Sequence, residues 1–131
     1  NIRGMAVGDM DGDGIAEIFV EEGLRAESGT VHMLRYKDGK FSEVAKVKNE
    51  IKGAAYGMKV KSFPEGVRLI TASHRGKVNF FAYENGKLLR DPVELSFNSE
   101  LADCDALDLD GDGDLEIALI GYPRRLMILN R

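Results

Sequence analysis

The chain repeats itself, and the repeats restrict its fold more than any other feature of the sequence. Residues 29–41 read GTVHMLRYKDGKF and residues 76–88 read GKVNFFAYENGKL, so a glycine, a valine, a tyrosine and a Gly-Lys pair recur at the same spacing. In each copy an Asp-Gly or Asn-Gly pair stands between two extended segments. Such pairs favour a two-residue hairpin turn because they tolerate positive φ. The two segments therefore predict the same hairpin twice.

A second repeated segment supplies the strands that come before each hairpin. Residues 8–20 read GDMDGDGIAEIFV and residues 107–120 read LDLDGDGDLEIALI, so an acidic, glycine-rich loop runs directly into a short apolar segment in both copies. A short unbroken apolar run is typical of a strand that is buried on both faces, and these runs are short for a helix. We therefore expect strands on both sides of each loop.

The middle of the chain contains the same two strands joined in a different way. Residues 57–60 (GMKV) resemble residues 4–7 (GMAV), and residues 67–71 (VRLIT) follow as the second apolar segment. Between them the acidic loop is replaced by a shorter turn that contains Pro64 and Gly66, which suit a β-turn.

Each complete unit is predicted to be a four-stranded antiparallel meander. The units span approximately residues 1–52, 53–99 and 100–131, and the last is cut short after its third strand, at residues 125–131. Repeats of about 40 to 50 residues with four strands are typical of propeller blades. We expect an all-β fold of about two and a half blades of a larger β-propeller, completed by the same longer chain or by association.

The two acidic loops have the spacing of a metal-binding site. Counted from the first aspartate, carboxylates occupy positions 1, 3, 5 and 9 of both loops. They are Asp9, Asp11, Asp13 and Glu17 in the first loop and Asp108, Asp110, Asp112 and Glu116 in the second. Carboxylates this close together repel one another unless a cation lies among them. Oxygen donors without His or Cys favour Ca²⁺, Mg²⁺ or Mn²⁺ over zinc or copper.

Glycines at positions 4 and 6 indicate how these ligands converge. Gly14 and Gly113, at position 6, suit a sharp turn with positive φ, and those at position 4 are expected to keep the loop interior clear of side chains. The turn would let the carbonyl at position 7, from Ile15 or Asp114, face the ion. Calcium accepts about six to eight oxygens in an irregular cage, whereas magnesium requires an octahedron. The loops therefore predict two Ca²⁺ sites, mainly structural because the side chains leave little open coordination.

The obvious alternative, an EF-hand, fails on this sequence. An EF-hand requires a bidentate glutamate at position 12 and a helix on each side of the loop. Position 12 is Val20 in the first loop and Leu119 in the second, and both belong to predicted strands.

The pattern Asp-x-Asp-x-Asp-Gly-x-x-Glu followed by a strand resembles the calcium loop of FG-GAP repeats, also described as VCBS-type repeats, which form the β-propeller of integrin α subunits. The resemblance is specific over residues 7–20 and 106–120. It implies a loop between strands 1 and 2 of a blade, with calcium bound by side chains at positions 1, 3, 5 and 9 and a carbonyl at 7. The middle unit departs from the motif at residues 62–66, so we expect no calcium site there.

The rest of the composition limits the classes of function. Outside the eight loop carboxylates, 14 acidic residues stand against 18 basic ones, without a basic block or a basic-aromatic stripe, so nucleic-acid binding is not predicted. No apolar segment approaches the roughly 20 residues that span a membrane. Cys104 is expected to be a small buried strand residue, and His32 and His74 to lie on strand surfaces or in loops.

We therefore expect a calcium-stabilised recognition or scaffold module with a protein or carbohydrate partner. An extracellular, periplasmic or cell-surface location fits, because calcium at about the millimolar level saturates even weak sites. The alternative is the propeller domain of a polysaccharide-active enzyme, a lyase or hydrolase, with catalytic residues largely outside this segment. We favour a binding module over an enzyme because the chain has neither a Gly-x-Ser-x-Gly elbow nor a phosphate loop.

Overall fold

The computed structural model describes residues 1–23, 28–52, 55–92 and 94–130, and all regular structure in them is β-strand. These residues form twelve strands in three separate antiparallel sheets. The prediction of an all-β fold is confirmed. Within the same ranges, no helix has the length and apolar character needed to cross a membrane.

The first sheet is a meander whose four strands are neighbours in chain order. Its strands are β1 (Ile2–Gly8), β2 (Glu17–Glu22), β3 (Ser28–Lys37) and β4 (Lys40–Lys52). Asp38 and Gly39 make the turn between β3 and β4, with φ of 52° and 76°. Positive φ at both turn residues is what the Asp-Gly pair predicts for this hairpin.

The middle sheet follows the same order, but its fourth strand is interrupted. Its strands are β5 (Ala55–Phe63), β6 (Gly66–Ser73), β7 (Lys77–Glu84), β8 (Lys87–Arg90) and β9 (Leu95–Ser96). Both β8 and β9 pair with β7, through Phe81 with Arg90 and Lys77 with Ser96. Pro92 lies between them and has no N–H to donate to a ladder, which accounts for the break. The predicted turn at Pro64 joins β5 to β6 directly.

The third sheet contains three described strands, again in chain order. They are β10 (Glu100–Leu107), β11 (Glu116–Tyr122) and β12 (Arg125–Asn130). The strand predicted at residues 125–131 is thus present as β12, and Arg131 lies outside the described residues.

The three sheets stack face to face with one apolar core on each side of the middle sheet. Neighbouring residues of the middle sheet point into opposite cores, because side chains alternate along a strand. Leu69 and Phe81 belong to the core shared with the first sheet, while Ile70 and Phe80 belong to the core shared with the third. All four side chains are fully buried. The unbroken apolar run of the middle sheet is therefore explained by burial on both faces.

The same explanation was expected for the apolar runs of β2 and β11, and there it is wrong. In β2, Phe19 is fully buried, but Ile18 and Val20 on the other face are only half-buried. In β11, Ile117 is fully buried, whereas Ile120 is 48% exposed. The reason is that no described sheet covers the outer face of the first sheet or of the third.

The first strands of successive sheets lie against one another, β1 beside β5 and β5 beside β10. Glycines allow the close approach. A Cβ on Gly8 would lie 2.6 Å from Val60 Cβ, and one on Gly57 would lie 2.7 Å from the Cα of Asp103. The sheets therefore stack in chain order with their first strands in contact.

A buried carboxylate also connects the first sheet to the middle one. Glu21 of β2 is fully buried and accepts hydrogen bonds from the Asn49 side-chain amide, at 3.1 Å, and from the backbone N–H of Ala55. Burial raises the pKa of Glu21 above its ordinary value, and these two hydrogen bonds oppose that rise. The contact fixes the start of β5 against β2.

Candidate metal centres

Each acidic loop joins the first two strands of a sheet and gathers its carboxylates into one cluster. In the first loop, Asp9, Asp11, Asp13 and Glu17 each offer an oxygen, and these oxygens all lie within 4.8 Å of one another. In the second loop the same holds for Asp108, Asp110 and Glu116. Asp112 was predicted with them but is not part of that group. Both clusters could hold a metal ion.

The aspartate at position 1 sets the shape of both loops. The two carboxylate oxygens of Asp9 accept hydrogen bonds from the backbone N–H groups of Gly12 and Gly14, both at 2.8 Å. Asp108 accepts the equivalent pair from Gly111 and Gly113, at 2.6 and 3.0 Å. The two loops therefore share these backbone hydrogen bonds, although they lie in different sheets.

The aspartates at positions 3 and 5 continue this pattern with shorter links. Each accepts a hydrogen bond from the backbone N–H two residues further along the chain. In the first loop, Asp13 accepts from Ile15 at 2.8 Å, and in the second Asp112 accepts from Asp114 at 2.9 Å. The positions of the Ile15 and Asp114 carbonyls as metal ligands stay a prediction.

The loop glycines at positions 4 and 6 all have a positive φ. Gly14 and Gly113 have φ of 85° and 95°, as predicted for position 6. Gly12 and Gly111, at position 4, have φ of 79° and 82°, and a Cβ on either would meet no atom within 4 Å. The expectation that position 4 keeps the loop interior clear stays a prediction. A left-handed conformation is the reason for glycine at both positions.

The glutamate at position 9 begins the second strand and is buried. Glu17 is fully buried and Glu116 is 7% exposed. One oxygen of each accepts a hydrogen bond at 2.8 Å from a backbone N–H of its own loop, Met10 in the first and Leu109 in the second. A buried carboxylate is costly unless a positive charge or further donors compensate for lost hydration.

In the first loop an arginine provides part of that charge. One guanidinium nitrogen of Arg35, Nη2, lies 2.8 Å from Asp11 Oδ2, 2.8 Å from Glu17 Oε1 and 3.7 Å from Asp13 Oδ2. Hydrogen bonds to Glu17 and Asp11 raise the pKa of Arg35 above its ordinary value. Burial opposes ionisation of Asp11, but hydrogen bonds from the Asp13 N–H and from Arg35 outweigh it and lower the pKa of Asp11.

The second loop has a neutral residue where the first has Arg35. In the first sheet Ile18 pairs with Leu34, so Arg35 stands opposite Glu17. In the third sheet Glu116 pairs with Asn130. Among the described residues no salt bridge reaches the second loop. No basic side chain in the described part of the chain therefore offsets the charge of Glu116 as Arg35 does that of Glu17.

Sequence reasoning missed Arg35. It lies 24 residues from Asp11, and its counterpart in the aligned middle unit is Ala82. Only the register between β2 and β3 brings the guanidinium to the loop. The sequence contained one signal. Arg35 lies in the predicted strand that comes directly after the strand of Glu17, and consecutive strands of a meander are neighbours.

A small cleft lies among β5, β10 and β11, with a volume of about 190 Å³. It is lined by Lys59, Asp103, Cys104, Asp105, Ala118 and Ile120. Lys61 forms a salt bridge to Asp105 at 2.8 Å. Burial raises the pKa of Asp105, but the hydrogen bond from Lys61 leads the effects that lower it below its ordinary value. Asp105 is therefore an ionised partner of a lysine, which does not suit a general acid.

The remaining candidates lie in strands or in a turn. Cys104 is buried in β10, as predicted, and burial raises the pKa of its thiol to about 12, which keeps it protonated at neutral pH. His32 lies on β3 between two carboxylates, Glu43 and Glu22, the latter at 3.1 Å. His74 follows β6 in a turn and is buried.

A scan against protein-family models and a search of curated proteins both returned no match to this chain.

Proposed function

We propose that the chain is part of a calcium-binding β-propeller that serves as a scaffold for recognition of a protein or carbohydrate partner. The observation that carries the proposal is the pair of matching loops. Each gathers carboxylates from positions 1, 3 and 9 and connects the first two strands of a sheet. This is the place and the spacing of the calcium loop in FG-GAP repeats, which the sequence resembles.

The arrangement of the sheets supports the propeller part of the proposal. The sheets are antiparallel meanders, they stack in chain order, and their first strands are in contact. In a propeller the first strands surround the central axis and neighbouring blades pack face to face. A propeller closes with about four to eight blades. The uncovered outer faces of the first and third sheets are therefore assigned to contacts with further blades.

Calcium is the proposed ion because of the donor set. The clusters contain carboxylate oxygens only, which excludes a preference for soft metals. A carbonyl from Ile15 or Asp114 would add a further oxygen to an irregular cage. Such a cage suits calcium better than magnesium, which requires an octahedron and keeps its waters.

The proposed role of calcium is structural. The ligands belong to a single connection between two adjacent strands, and Asp9 and Asp108 also bind the backbone of their own loops. When bound, the ion supplies positive charge that offsets repulsion among the carboxylates. Ordinary extracellular calcium would keep such sites loaded, so an extracellular, periplasmic or cell-surface location is part of the proposal.

Thermal unfolding with calcium and with a chelator tests the proposal. A ligand present at about 100 times its dissociation constant stabilises the folded state by about 2.7 kcal/mol per site. For a domain of this size each kcal/mol raises the unfolding midpoint by about 3 to 6 °C. We expect a clear rise with calcium, and a smaller one in the variant with Asp11→Asn and Asp110→Asn. Equal midpoints with calcium and chelator would show that the loops do not hold a stabilising ion.

Asp38→Asn is the matched control for this experiment. Asp38 is an exposed hairpin aspartate with positive φ, which asparagine also tolerates, and it lies outside both loops. The control should keep the full calcium response. Ligand capture and polysaccharide turnover, measured on the same folded variants, then distinguish a scaffold from an enzyme domain.

A further inference from the structure

The two outermost sheets each present a face that no described sheet covers and that contains exposed apolar side chains, beside Asp103 and Asp105 in the third sheet. The free face of the first sheet contains Met5, Val7, Ile18 and Val20. The free face of the third sheet contains Ala118, Ile120, Leu126 and Ile128. Met5 and Val7 are 64% and 56% exposed, and Leu126 and Ile128 are 70% and 47% exposed. Exposed apolar clusters of this kind indicate an interaction surface.

The register of the sheets shows what the free face of the third sheet corresponds to. Leu126 pairs with Ile120 and Ile128 with Ala118, both of which follow the loop glutamate on β11. In the first sheet the residues at the same ladder positions are Val31 and Met33. Both are fully buried in the core shared with the middle sheet. The free face of the third sheet is therefore the repeat of a face that the next sheet covers.

The same comparison applies in the middle sheet. Val78 and Phe80 occupy the matching positions on β7, since residues 76–88 repeat residues 29–41. Both are fully buried in the core shared with the third sheet. The face that contains Leu126 and Ile128 is thus covered in each earlier sheet and uncovered only in the last.

The free face of the first sheet is the repeat of the opposite surface. Met5 and Val7 align with Met58 and Val60, in the repeated segments GMAV and GMKV. Met58 is 2% exposed, and Val60 packs against the core shared with the first sheet. The face that contains Met5 and Val7 is therefore the kind of surface that packs on a preceding sheet. The two free faces are the two halves of the interface that the chain forms twice internally.

We propose that this chain associates head to tail, so that the free face of the third sheet in one copy packs on the free face of the first sheet in a second copy. The contact continues the internal stacking of the sheets by one further interface. It is heterologous, because two different surfaces meet, and such contacts form rings or open chains. The proposal depends on the stacking of the sheets and not on calcium, so its failure leaves the metal proposal intact.

Two variants, each with charged residues on one of the two free faces, test the proposal. Leu126→Glu with Ile128→Glu places charges on the free face of the third sheet, and Met5→Glu with Val7→Glu does so on the first. Lys87→Glu with Leu89→Glu is the control, since both residues are exposed on β8 of the middle sheet. All three pairs have the same spacing along a strand. Circular dichroism and thermal unfolding check that each variant keeps the fold.

Sedimentation velocity over a range of concentrations provides the measurement. We expect the wild-type chain and the control to self-associate. Each of the two variants with a charged free face should be monomeric alone, and an equimolar mixture of the two should form a 1:1 complex. The complex is expected because each variant keeps the face that the other lacks. A monomeric wild-type chain would overturn the proposal and leave the free faces to further sheets of a longer chain or of a different protein. Self-association of either variant alone, or a monomeric mixture of folded variants, would also overturn it.

Discussion

The two candidate metal centres should bind calcium with different affinities because, among the described residues, a basic side chain contacts the carboxylates of the first centre only. Nη2 of Arg35 contacts Asp11 and Glu17, both at 2.8 Å, so it stands among the carboxylates that would coordinate the ion. Asn130 holds the matching ladder position in the third sheet and carries no charge. Arg35→Met removes the positive charge from the first centre, and Asn130→Arg, in a second variant, adds one at the matching position of the second centre.

The size of the effect follows from the charges and the distances. In bulk water a unit charge about 4 Å from a divalent cation weakens binding by about thirtyfold. The side chain of Arg35 is 29% exposed, so salt and side-chain movement will reduce this penalty. We therefore expect the first centre to bind calcium about tenfold more weakly than the second. Arg35→Met should recover about that factor, and Asn130→Arg should remove it from the second centre.

Isothermal titration calorimetry can measure each centre alone. Asp110→Asn disables the second loop, and adding Arg35→Met to it should tighten the calcium affinity of the first. Asp11→Asn disables the first loop, and adding Asn130→Arg to it should weaken the second. An unchanged affinity on adding Arg35→Met would refute the reasoning, since it would show that the guanidinium leaves the cluster without cost when calcium binds.

Stability in chelator gives an independent readout with the opposite sign. Without calcium, Arg35 is the cation that contacts the first cluster, so Arg35→Met should lower the unfolding midpoint. Asn130→Arg places a positive charge beside a cluster that no described basic side chain contacts, and it should raise the midpoint in chelator. A substitution that merely disturbed packing would shift the midpoint in the same direction with calcium and with chelator.

Two further predictions concern packing and pH. Phe80→Ala should lower the free energy of unfolding by about 3 to 5 kcal/mol, because Phe80 is fully buried between the middle and third sheets. Phe41→Ala, at a position 63% exposed, should cost much less in the same denaturant titration. The pKa of Asp105 is lowered in the folded chain, so its stabilising effect is present above the ordinary value of 3.8 and is lost as pH falls below it. Lys61→Met should therefore reduce the loss in the free energy of unfolding as pH falls below 3.8. The same pH dependence of that free energy in the variant and the wild-type chain would contradict this.

Local residues were sufficient to predict the turns and loops. Asp38-Gly39 and Asn85-Gly86 both adopt the positive φ that their residue types favour. The loop glycines at position 6 do the same. These features depend on a few consecutive residues, so no knowledge of neighbouring strands is needed to infer them.

Features that depend on register or on contacts between sheets could not be predicted in the same way. Arg35 reaches the first loop only because Ile18 pairs with Leu34. The Lys61–Asp105 salt bridge joins two sheets whose residues are far apart in the chain. The exposure of Ile120 was also missed, because an apolar run indicates what a strand can be packed against and not whether a sheet is present to cover it.

The chain joins the first and second strands of its sheets in three ways, and these imply an uneven dependence on calcium. The first sheet has a carboxylate cluster with Arg35 beside it, and the middle sheet has a short turn at Pro64 without such a cluster. The third has a cluster, including the buried Glu116, that no described basic side chain contacts. Calcium removal should therefore loosen the third sheet first, and amide hydrogen exchange should rise in β10 and β11 before it rises in β1 and β2.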